Sequence, residues 1–249
     1  MKIQKILISQ PAPPCEKSPY SDLISKYNVK IDFNPFIRVE PLTAREYRQQ
    51  HINFLDFSAV IFTSKLHVDH FFKMCEELRV TIPETMKYFC MNESIAFYLQ
   101  KYVVFRKRKI FFGNNTFEDM KDAFNKSRDC TYLIPITEPH KASTLEVLNK
   151  YNLKFTVSTL SRTVSNDMKG IHLHDYHIVV FFTPSGIKSL FENFPDFQQE
   201  NLYIGTSGIS TLQAATDVGL NVQIVSPTKE FPSITAALDA FIKKCLKEK

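Results

Sequence analysis

Three stretches of this chain place hydroxyl side chains directly after an apolar segment, and each has the chemistry to bind an anion. They are Thr63-Ser64, Thr183-Pro184-Ser185-Gly186 and Gly205-Thr206-Ser207-Gly208. Hydroxyl groups at a helix start, together with the free N–H groups of a first helical turn, donate hydrogen bonds to carboxylate or phosphate oxygens. The same residue types are common helix caps, so a purely structural role is the alternative interpretation of each stretch.

Each stretch follows a predicted strand and begins a predicted helix. Residues 59–62 and 178–182 are short, unbroken apolar runs, which are typical of strands buried on both faces of a parallel sheet. Thr183 suits an N-cap, and Pro184 suits the first helical position, where its missing N–H costs nothing. The glycines of the third stretch let a ligand oxygen approach the backbone closely. That stretch is neither a Walker loop nor G-x-G-x-x-G, since no lysine follows its second glycine.

The second half of the chain repeats the first. Phe62 matches Phe182 and Phe124 matches Phe241, so the period is about 120 residues, which suits domain-sized units. Strands alternating with helices predict two flavodoxin-like α/β/α domains with parallel sheets. Ligands of such sheets bind at the carboxyl ends of the strands, so the cleft between the two domains is the predicted site.

Composition narrows the classes of protein. A chain of 249 residues with 44% hydrophobic residues can build a sizeable core, and its net charge of +5 is too weak to indicate nucleic acid binding. No apolar run approaches the roughly 18 residues of a membrane span, and the first residues lack a signal-peptide pattern. Five scattered cysteines without a C-x-x-C pair predict reduced thiols in the cytoplasm.

Two further patterns favour structural roles. His67 and His70 share a predicted helix face and three histidines lie within residues 172–177, but no acidic or cysteine partner stands at ligand spacing, so no metal site is predicted. Residues 105–109 form a basic run. We interpret this run as a solvated sheet edge, because a nucleic acid surface needs interleaved aromatic residues and a wider basic face.

The sequence resembles the uroporphyrinogen-III synthase family over nearly its whole length. Each motif behind the resemblance is short, and their common order and spacing are the specific feature. The motifs are Ile61-Phe62-Thr63-Ser64 followed by Val68, Phe181-Phe182-Thr183-Pro184-Ser185-Gly186, Ile204-Gly205-Thr206-Ser207 followed by Gly219-Leu220, and Ser226-Pro227-Thr228. The resemblance implies one discontinuous domain of residues 1–38 and 166–249, a second domain of residues 42–160, and extended linkers at residues 38–42 and 161–165.

The resemblance also implies a reaction. The family closes hydroxymethylbilane, a linear tetrapyrrole rich in carboxylates, into uroporphyrinogen III during haem biosynthesis. The hydroxyl group is expelled, the ring closes, and the last pyrrole is inverted through a spiro intermediate. No metal or cofactor takes part. We further expect a cytoplasmic monomer without a membrane or nucleic acid partner, and a transient contact with hydroxymethylbilane synthase.

Site residues follow from the resemblance by motif match. The residues that would contact the substrate are Thr63, Ser64, Ser185, Gly186, Thr206 and Ser207. Many members carry a tyrosine where the second linker begins, and that tyrosine has been favoured as the acid that helps the hydroxyl group leave. Here Ser161 stands in its place and is the catalytic candidate, with Tyr20, Tyr203 and a substrate carboxylate as alternative acids.

The serine at position 161 leaves a second function open. A non-catalytic paralogue would bind an acidic tetrapyrrole, or another anionic small molecule, without isomerising it. A flavodoxin-like sensor domain is a weaker alternative, because Asp56 and Asp129 do not form the acidic phospho-acceptor cluster that such a sensor needs. The synthase is the main hypothesis.

Overall fold

The structure is a computed structural model that describes residues 3–14, 18–140 and 142–247, without the side chains of residues 142–145. The chain divides into two units. The first unit joins the described residues up to Arg38 to those from Val164 onward, and the second unit is Val39–Thr163.

The strands of the described residues alternate with helices. In chain order the strands are β1 (Lys5–Ile8), β2 (Lys30–Phe33), β3 (Ile37–Pro41), β4 (Ala59–Phe62), β5 (Lys87–Cys90), β6 (Ile110–Phe112), β7 (Thr131–Glu138), β8 (Lys154–Ser165), β9 (Ile178–Phe181), β10 (Tyr203–Ser207) and β11 (Val222–Ser226). The helices are α1 (Pro19–Tyr27), α2 (Ala44–Arg48), α3 (Lys65–Leu78), α4 (Glu93–Tyr98), α5 (Lys121–Asn125), α6 (Ala142–Asn149), α7 (Pro184–Asn193), α8 (Ile209–Asp217) and α9 (Ile234–Lys247).

The sheet of the first unit is parallel. Its strands lie in the order β2-β1-β9-β10-β11, which is the flavodoxin-like order 2-1-3-4-5 when the strands of this unit are counted along the chain. The prediction of a parallel α/β sheet is therefore confirmed for this unit. The strands β1 and β2 reach it from the beginning of the chain, and the other three come from the end.

The sheet of the second unit repeats this order. Strands β8-β7-β4-β5-β6 are parallel neighbours, and β7 and β8 take the places that β1 and β2 hold in the first unit. The sequence duplication thus corresponds to a repeated strand order. Strand β3 adds to the outer edge of β8. Leu42 N–H donates to Leu160 O, and Asn166 N–H donates to Phe36 O. This pattern shows that β3 and β8 pair antiparallel.

The buried strands form because they are apolar along their whole length. All four residues of β4 are buried, as expected for a central strand covered on both faces. Helix α3 packs beside it and buries Val68, Phe71, Met74 and Cys75, which recur at helical spacing. Each large apolar side chain removed from water stabilises the unit by roughly 1.5–3 kcal/mol. The sheet therefore holds the carboxyl end of β4 in a fixed place.

One matched pair of segments differs between the units. Residues 233–241 lie at the start of α9, a long regular helix, whereas residues 116–124 contain a short 3-10 helix, Glu118–Met120, before α5. Asp119 explains the irregularity, since its carboxylate accepts hydrogen bonds from Asn114 N–H and from the Thr116 hydroxyl. Such local side-chain hydrogen bonds compete with a regular helix.

Three predictions made from composition can be compared with the described residues. Cys75, Cys90 and Cys130 are buried thiols, while Cys15 lies outside the described residues. The basic run precedes β6, which is an edge strand of its sheet, as the structural interpretation expects. Within the described ranges, no helix combines the length and the apolar character that crossing a bilayer requires.

Candidate functional site

The corner after β4 uses its two hydroxyl residues differently. Ser64 is the N-cap of α3, and its Oγ accepts a hydrogen bond of 3.1 Å from His67 N–H. Thr63 Oγ1 lies 2.9 Å from His67 Nδ1 instead. Ser64 therefore has a structural task, although its own O–H group is still able to donate to a ligand. Both side chains are half-buried.

His67 continues the contact from Thr63 into the sheet. The other ring nitrogen, Nε2, lies 3.2 Å from Thr137 Oγ1, and Thr137 Oγ1 lies 2.7 Å from Ser161 Oγ. The predicted catalytic residue and a predicted substrate-binding residue are thus joined by two intermediate side chains. We call Thr63, His67, Thr137 and Ser161 the hydroxyl–imidazole chain.

The elements of the second unit explain this arrangement. Thr63 and His67 are four residues apart, so the first turn of α3 brings the imidazole back toward the end of β4. Thr137 and Ser161 are partners in the register of β7 and β8, just after an irregularity between Ile136 and Thr137. Neither His67 nor Thr137 is among the site residues predicted from the sequence. The helical spacing was a usable signal for His67, whereas no local signal indicated Thr137.

The imidazole of His67 is held in its neutral form. Burial, and to a smaller extent charge repulsion from the nearby His70, lowers the pKa of His67 to about 4. A neutral imidazole has one N–H donor and one acceptor nitrogen, so both of its ring nitrogens can be satisfied by hydroxyl groups.

Ser161, the predicted catalytic residue, is fully buried, with 0% of its surface exposed. Its hydroxyl contacts Thr137 and does not reach solvent directly. The described structure therefore does not expose the predicted catalytic hydroxyl to a ligand.

The corner after β9 has a similar cap. Thr183 Oγ1 accepts a hydrogen bond of 3.1 Å from Gly186 N–H, and Pro184 begins α7 as predicted. The N–H group of Gly186 is therefore used inside the protein. Ser185 lies between these residues in the first turn, and its half-buried side chain makes no hydrogen bond within the described ranges. Ser185 is the hydroxyl of this corner that remains available to a ligand.

The loop after β10 lies at the same edge of the sheet. Gly208 has a φ of 97°, a conformation that side chains rarely adopt, and its N–H donates to Ser226 O at 2.7 Å. Helix α8 follows without a side-chain cap. Ser207 is half-buried and pairs in register with Ser226 of β11. The first N–H groups of α8 and the hydroxyl groups of this loop are therefore directed toward one edge of the sheet.

Three buried hydroxyl groups surround this loop without a partner. Thr206, Thr211 and Ser226 are each at most 2% exposed, and their side-chain oxygens make no hydrogen bond within the described part of the chain. Unsatisfied buried hydroxyl groups are costly, so such a cluster indicates a place where a polar ligand or water supplies the missing contacts. Thr206 was predicted as a site residue, whereas Thr211 and Ser226 were not.

The two tyrosines among the alternative acids lie at opposite ends of the same sheet. Tyr20 is in the first turn of α1 and packs edge-to-face on Phe33, the last residue of β2, so it is at the carboxyl end. Burial raises the pKa of the Tyr20 hydroxyl. Tyr203 is the first residue of β10 and packs on Phe241. Tyr20 therefore shares the edge with Thr206 and Ser207, and Tyr203 does not.

A separate cavity of about 520 Å³ lies in the second unit. It is lined by residues of α3 and by residues before and at the amino ends of β5 and β6, and it contains none of the predicted site residues. Its charged lining residues are Glu76, Glu84, Arg106 and Lys109, so their formal charges cancel. This balance does not favour an anionic ligand. Across the described residues, no three His, Cys, Asp or Glu side chains come together to hold a metal ion.

The family model described as uroporphyrinogen-III synthase HemD matches residues 18–236. No curated protein matches this sequence.

Two solved structures resemble this chain along its length. A uroporphyrinogen-III synthetase from Helicobacter pylori is 17% identical, with a TM-score of 0.57, and the match covers 97% of this chain and 100% of that one. A mutant uroporphyrinogen III synthase from Thermus thermophilus is 13% identical, with a TM-score of 0.51 and coverage of 99% and 100%. At these identities the structural likeness shows the fold. Because the family model matches most of its residues, the chain belongs to the uroporphyrinogen-III synthase family.

Proposed function

We propose that this protein is a uroporphyrinogen-III synthase, a cyclising lyase that converts hydroxymethylbilane to uroporphyrinogen III. The observation that carries the proposal is the match of the family model to residues 18–236. Hydroxyl groups at the carboxyl ends of both parallel sheets support it, because the substrate is a polyanion and these groups are hydrogen-bond donors.

The reaction makes modest demands on a protein. The C–O bond of the hydroxymethyl group breaks and the hydroxyl leaves as water after gaining a proton. A carbon–carbon bond to the last pyrrole forms the spiro intermediate, the older bond to that pyrrole breaks, and a final carbon–carbon bond closes the ring as the attacking pyrrole carbon loses a proton. The enzyme must hold the flexible chain so that closure occurs at the more hindered carbon, which is an orientation effect. It must also supply the proton and stabilise the cation that forms.

The proposed substrate contacts divide into three kinds. Thr63, Ser64, Ser185 and Ser207 would donate hydroxyl hydrogen bonds to substrate carboxylates. Thr206 is fully buried and its hydroxyl has no partner within the described residues, so it would contact the substrate through a bridging water. Gly186 would contribute by its missing side chain, since its N–H already donates to Thr183. We propose that Ser161 assists the reaction indirectly, because it is fully buried. A monomeric state, a cytoplasmic location and a transient contact with hydroxymethylbilane synthase stay predictions.

An isomer assay tests the proposed activity. Hydroxymethylbilane is generated in situ by its own synthase, this protein is added, and the products are oxidised and separated into porphyrin isomers I and III. We expect isomer III to predominate. Isomer I alone, formed in the presence of protein shown to be folded by circular dichroism, would overturn the enzyme and leave the non-catalytic binder.

Two arginine variants test the position of the site in the same assay. Ser207→Arg puts a long cation at the end of β10, just before α8, and should abolish isomer III while the protein stays folded. Gln213→Arg adds the same side chain on the exposed surface of α8 and should leave the product unchanged. Equal activity of the two variants would remove Ser207 from the site.

A further inference from the structure

The distances in the hydroxyl–imidazole chain do not by themselves show which atom is the donor in each hydrogen bond. Its distances are 2.9 Å from Thr63 to His67, 3.2 Å from His67 to Thr137, and 2.7 Å from Thr137 to Ser161. Each hydroxyl can donate or accept, and a neutral imidazole can carry its proton on either nitrogen. Two directions are therefore consistent with the distances, and they give Thr63 opposite properties.

Ser161 distinguishes the two directions. Its side chain is fully buried, and within the described ranges Thr137 is the one hydrogen-bond partner that its hydroxyl has. If Thr137 donated to Ser161, the O–H group of Ser161 would be buried without an acceptor. Leaving a buried donor unsatisfied costs free energy, whereas an unused lone pair on a hydroxyl costs much less. Ser161 therefore donates to Thr137.

That step leaves two arrangements of the remaining contacts, because Thr137 has one hydrogen and two lone pairs. Thr137 could accept a second hydrogen bond from His67 Nε2–H, but hydrogen bonds that all run in one direction strengthen one another, so the favoured arrangement has Thr137 accept from Ser161 and donate to His67 Nε2. Nε2 then carries no hydrogen, so the neutral ring holds its proton on Nδ1 and donates it to Thr63 Oγ1. The O–H group of Thr63 has no acceptor left within the hydroxyl–imidazole chain and is free to donate to a ligand.

We propose that Ser161, acting through Thr137 and His67, makes Thr63 an obligate hydrogen-bond donor toward a carboxylate of the substrate. Ser161, Thr137 and His67 are positioning residues in this arrangement, and Thr63 is the residue that touches the ligand. The identity of the ligand rests on the proposed function, whereas the direction of the chain does not.

The neutral ring is essential to this arrangement. A protonated imidazole would carry hydrogens on both nitrogens, so Thr137 could no longer donate to Nε2 and the single direction of the hydrogen bonds would be broken. The burial of His67 and the proximity of His70 both oppose protonation. The obligate donor also accounts for a serine at position 161, since its hydroxyl needs only to reach Thr137.

Nuclear magnetic resonance tests the direction without reference to activity. Long-range correlations between ring hydrogens and ring nitrogens of ¹⁵N-labelled protein distinguish a histidine protonated at Nδ1 from one protonated at Nε2. Signals of His67 are assigned by their loss in His67→Phe. We expect the Nδ1–H form in the full-length protein at neutral pH. The Nε2–H form would overturn the inference whatever the enzyme assay gives.

Two serine variants on β8 test whether Ser161 sets the direction. Ser161→Ala removes the first donor, so His67 should become a mixture of both tautomers. Ser158→Ala is the matched control, because Ser158 is equally buried on the same strand but donates to Tyr47 OH at 3.1 Å, outside the chain. An unchanged tautomer in Ser161→Ala, or an equal change in both variants, would contradict the proposal.

Kinetics on hydroxymethylbilane separate a positioning role from a structural one. Thr63→Val and Ser161→Ala should each raise KM, by about tenfold and about threefold, with a smaller effect on kcat. The double variant should have the KM of Thr63→Val alone, because Ser161 acts only through Thr63. Multiplied effects would overturn the proposal. If the wild-type protein forms no isomer III, the proposed function is refuted. The tautomer of His67 would then be the measurement that tests the direction of the hydroxyl–imidazole chain.

Discussion

Gly205 of β10 lies directly against Val180 of β9, and a methyl group added to Gly205 would come within 3.1 Å of Val180 Cγ2. Val180 is fully buried, and Ile224 Cβ would lie 3.5 Å away on the other side. Both β-branched neighbours are buried in the same hydrophobic core cluster. Glycine at this position thus permits the close approach of strands that carry the Thr206–Ser207 loop.

Gly205→Ala should therefore destabilise the protein. We expect the free energy of unfolding to fall by about 1–3 kcal/mol, the usual cost of overpacking a core. Urea unfolding followed by circular dichroism measures it. Gly186→Ala is the control, because its added methyl would lie at an ordinary 3.4 Å from Thr183 Oγ1, within α7. Equal losses in the two variants would show that strand packing is not the reason for Gly205.

At the corner after β9, we expect Thr183 to affect the stability of the protein and Ser185 to affect its activity. Thr183→Ala removes the cap that accepts Gly186 N–H and should lower the free energy of unfolding by about 1 kcal/mol. Ser185→Ala removes a hydroxyl that caps nothing and should leave stability unchanged while raising KM for hydroxymethylbilane. Unfolding curves and initial rates on both variants check this. A stability loss in Ser185→Ala would mean that its hydroxyl has a structural partner.

The hydroxyl of Thr206 has no hydrogen-bond partner within the described residues, so we expect that its removal raises the stability of the protein and lowers its activity. Thr206→Val keeps the shape of the side chain and removes a buried polar atom that makes no hydrogen bond within the described ranges. We expect the free energy of unfolding to rise by up to about 1 kcal/mol and the yield of isomer III to fall. Urea unfolding and the isomer assay measure the two effects. A marked loss of stability would reveal a hydrogen bond that the ligand-free protein needs.

His67 predicts a pH dependence of stability. The pKa of His67 is about 4 in the folded protein, lowered by burial and then by His70, against an ordinary value of 6.5. Between these values the unfolded chain binds more protons than the folded one, so the stabilisation is present above pH 6.5 and is lost as the pH falls toward 4. The full difference corresponds to at most about 3 kcal/mol.

The comparison of wild type with His67→Phe isolates this contribution. Between pH 7 and pH 5 the wild-type protein should lose about 2 kcal/mol more stability than the variant, because only the wild type has this imidazole to protonate. Other titrating groups, including His70, remain in both proteins and cancel. Parallel losses in the two urea-unfolding series would mean that His67 is not held neutral.

Several features of this protein were determined by local sequence. The strand-to-helix corners were predictable because apolar runs, a hydroxyl N-cap and a proline at the first helical position act within a few residues of one another. The repeated order of these elements predicted two parallel sheets, and the structure confirms them with the same strand order in each unit. The division of the site residues between caps and ligand contacts was not predictable, because Thr183 and Ser185 differ only in which hydrogen bonds the folded turn makes.

The hydroxyl–imidazole chain was decided by tertiary structure alone. Thr137 and Ser161 are brought together by the register of β7 and β8, and that register shifts at Ile136 in a way that local sequence does not mark. A shift of one residue would turn Ser161 to the other face of the sheet. Burial of Ser161 likewise depends on what covers β8. The direction of hydrogen bonding that this burial imposes on Thr63 is therefore a property of the assembled sheet.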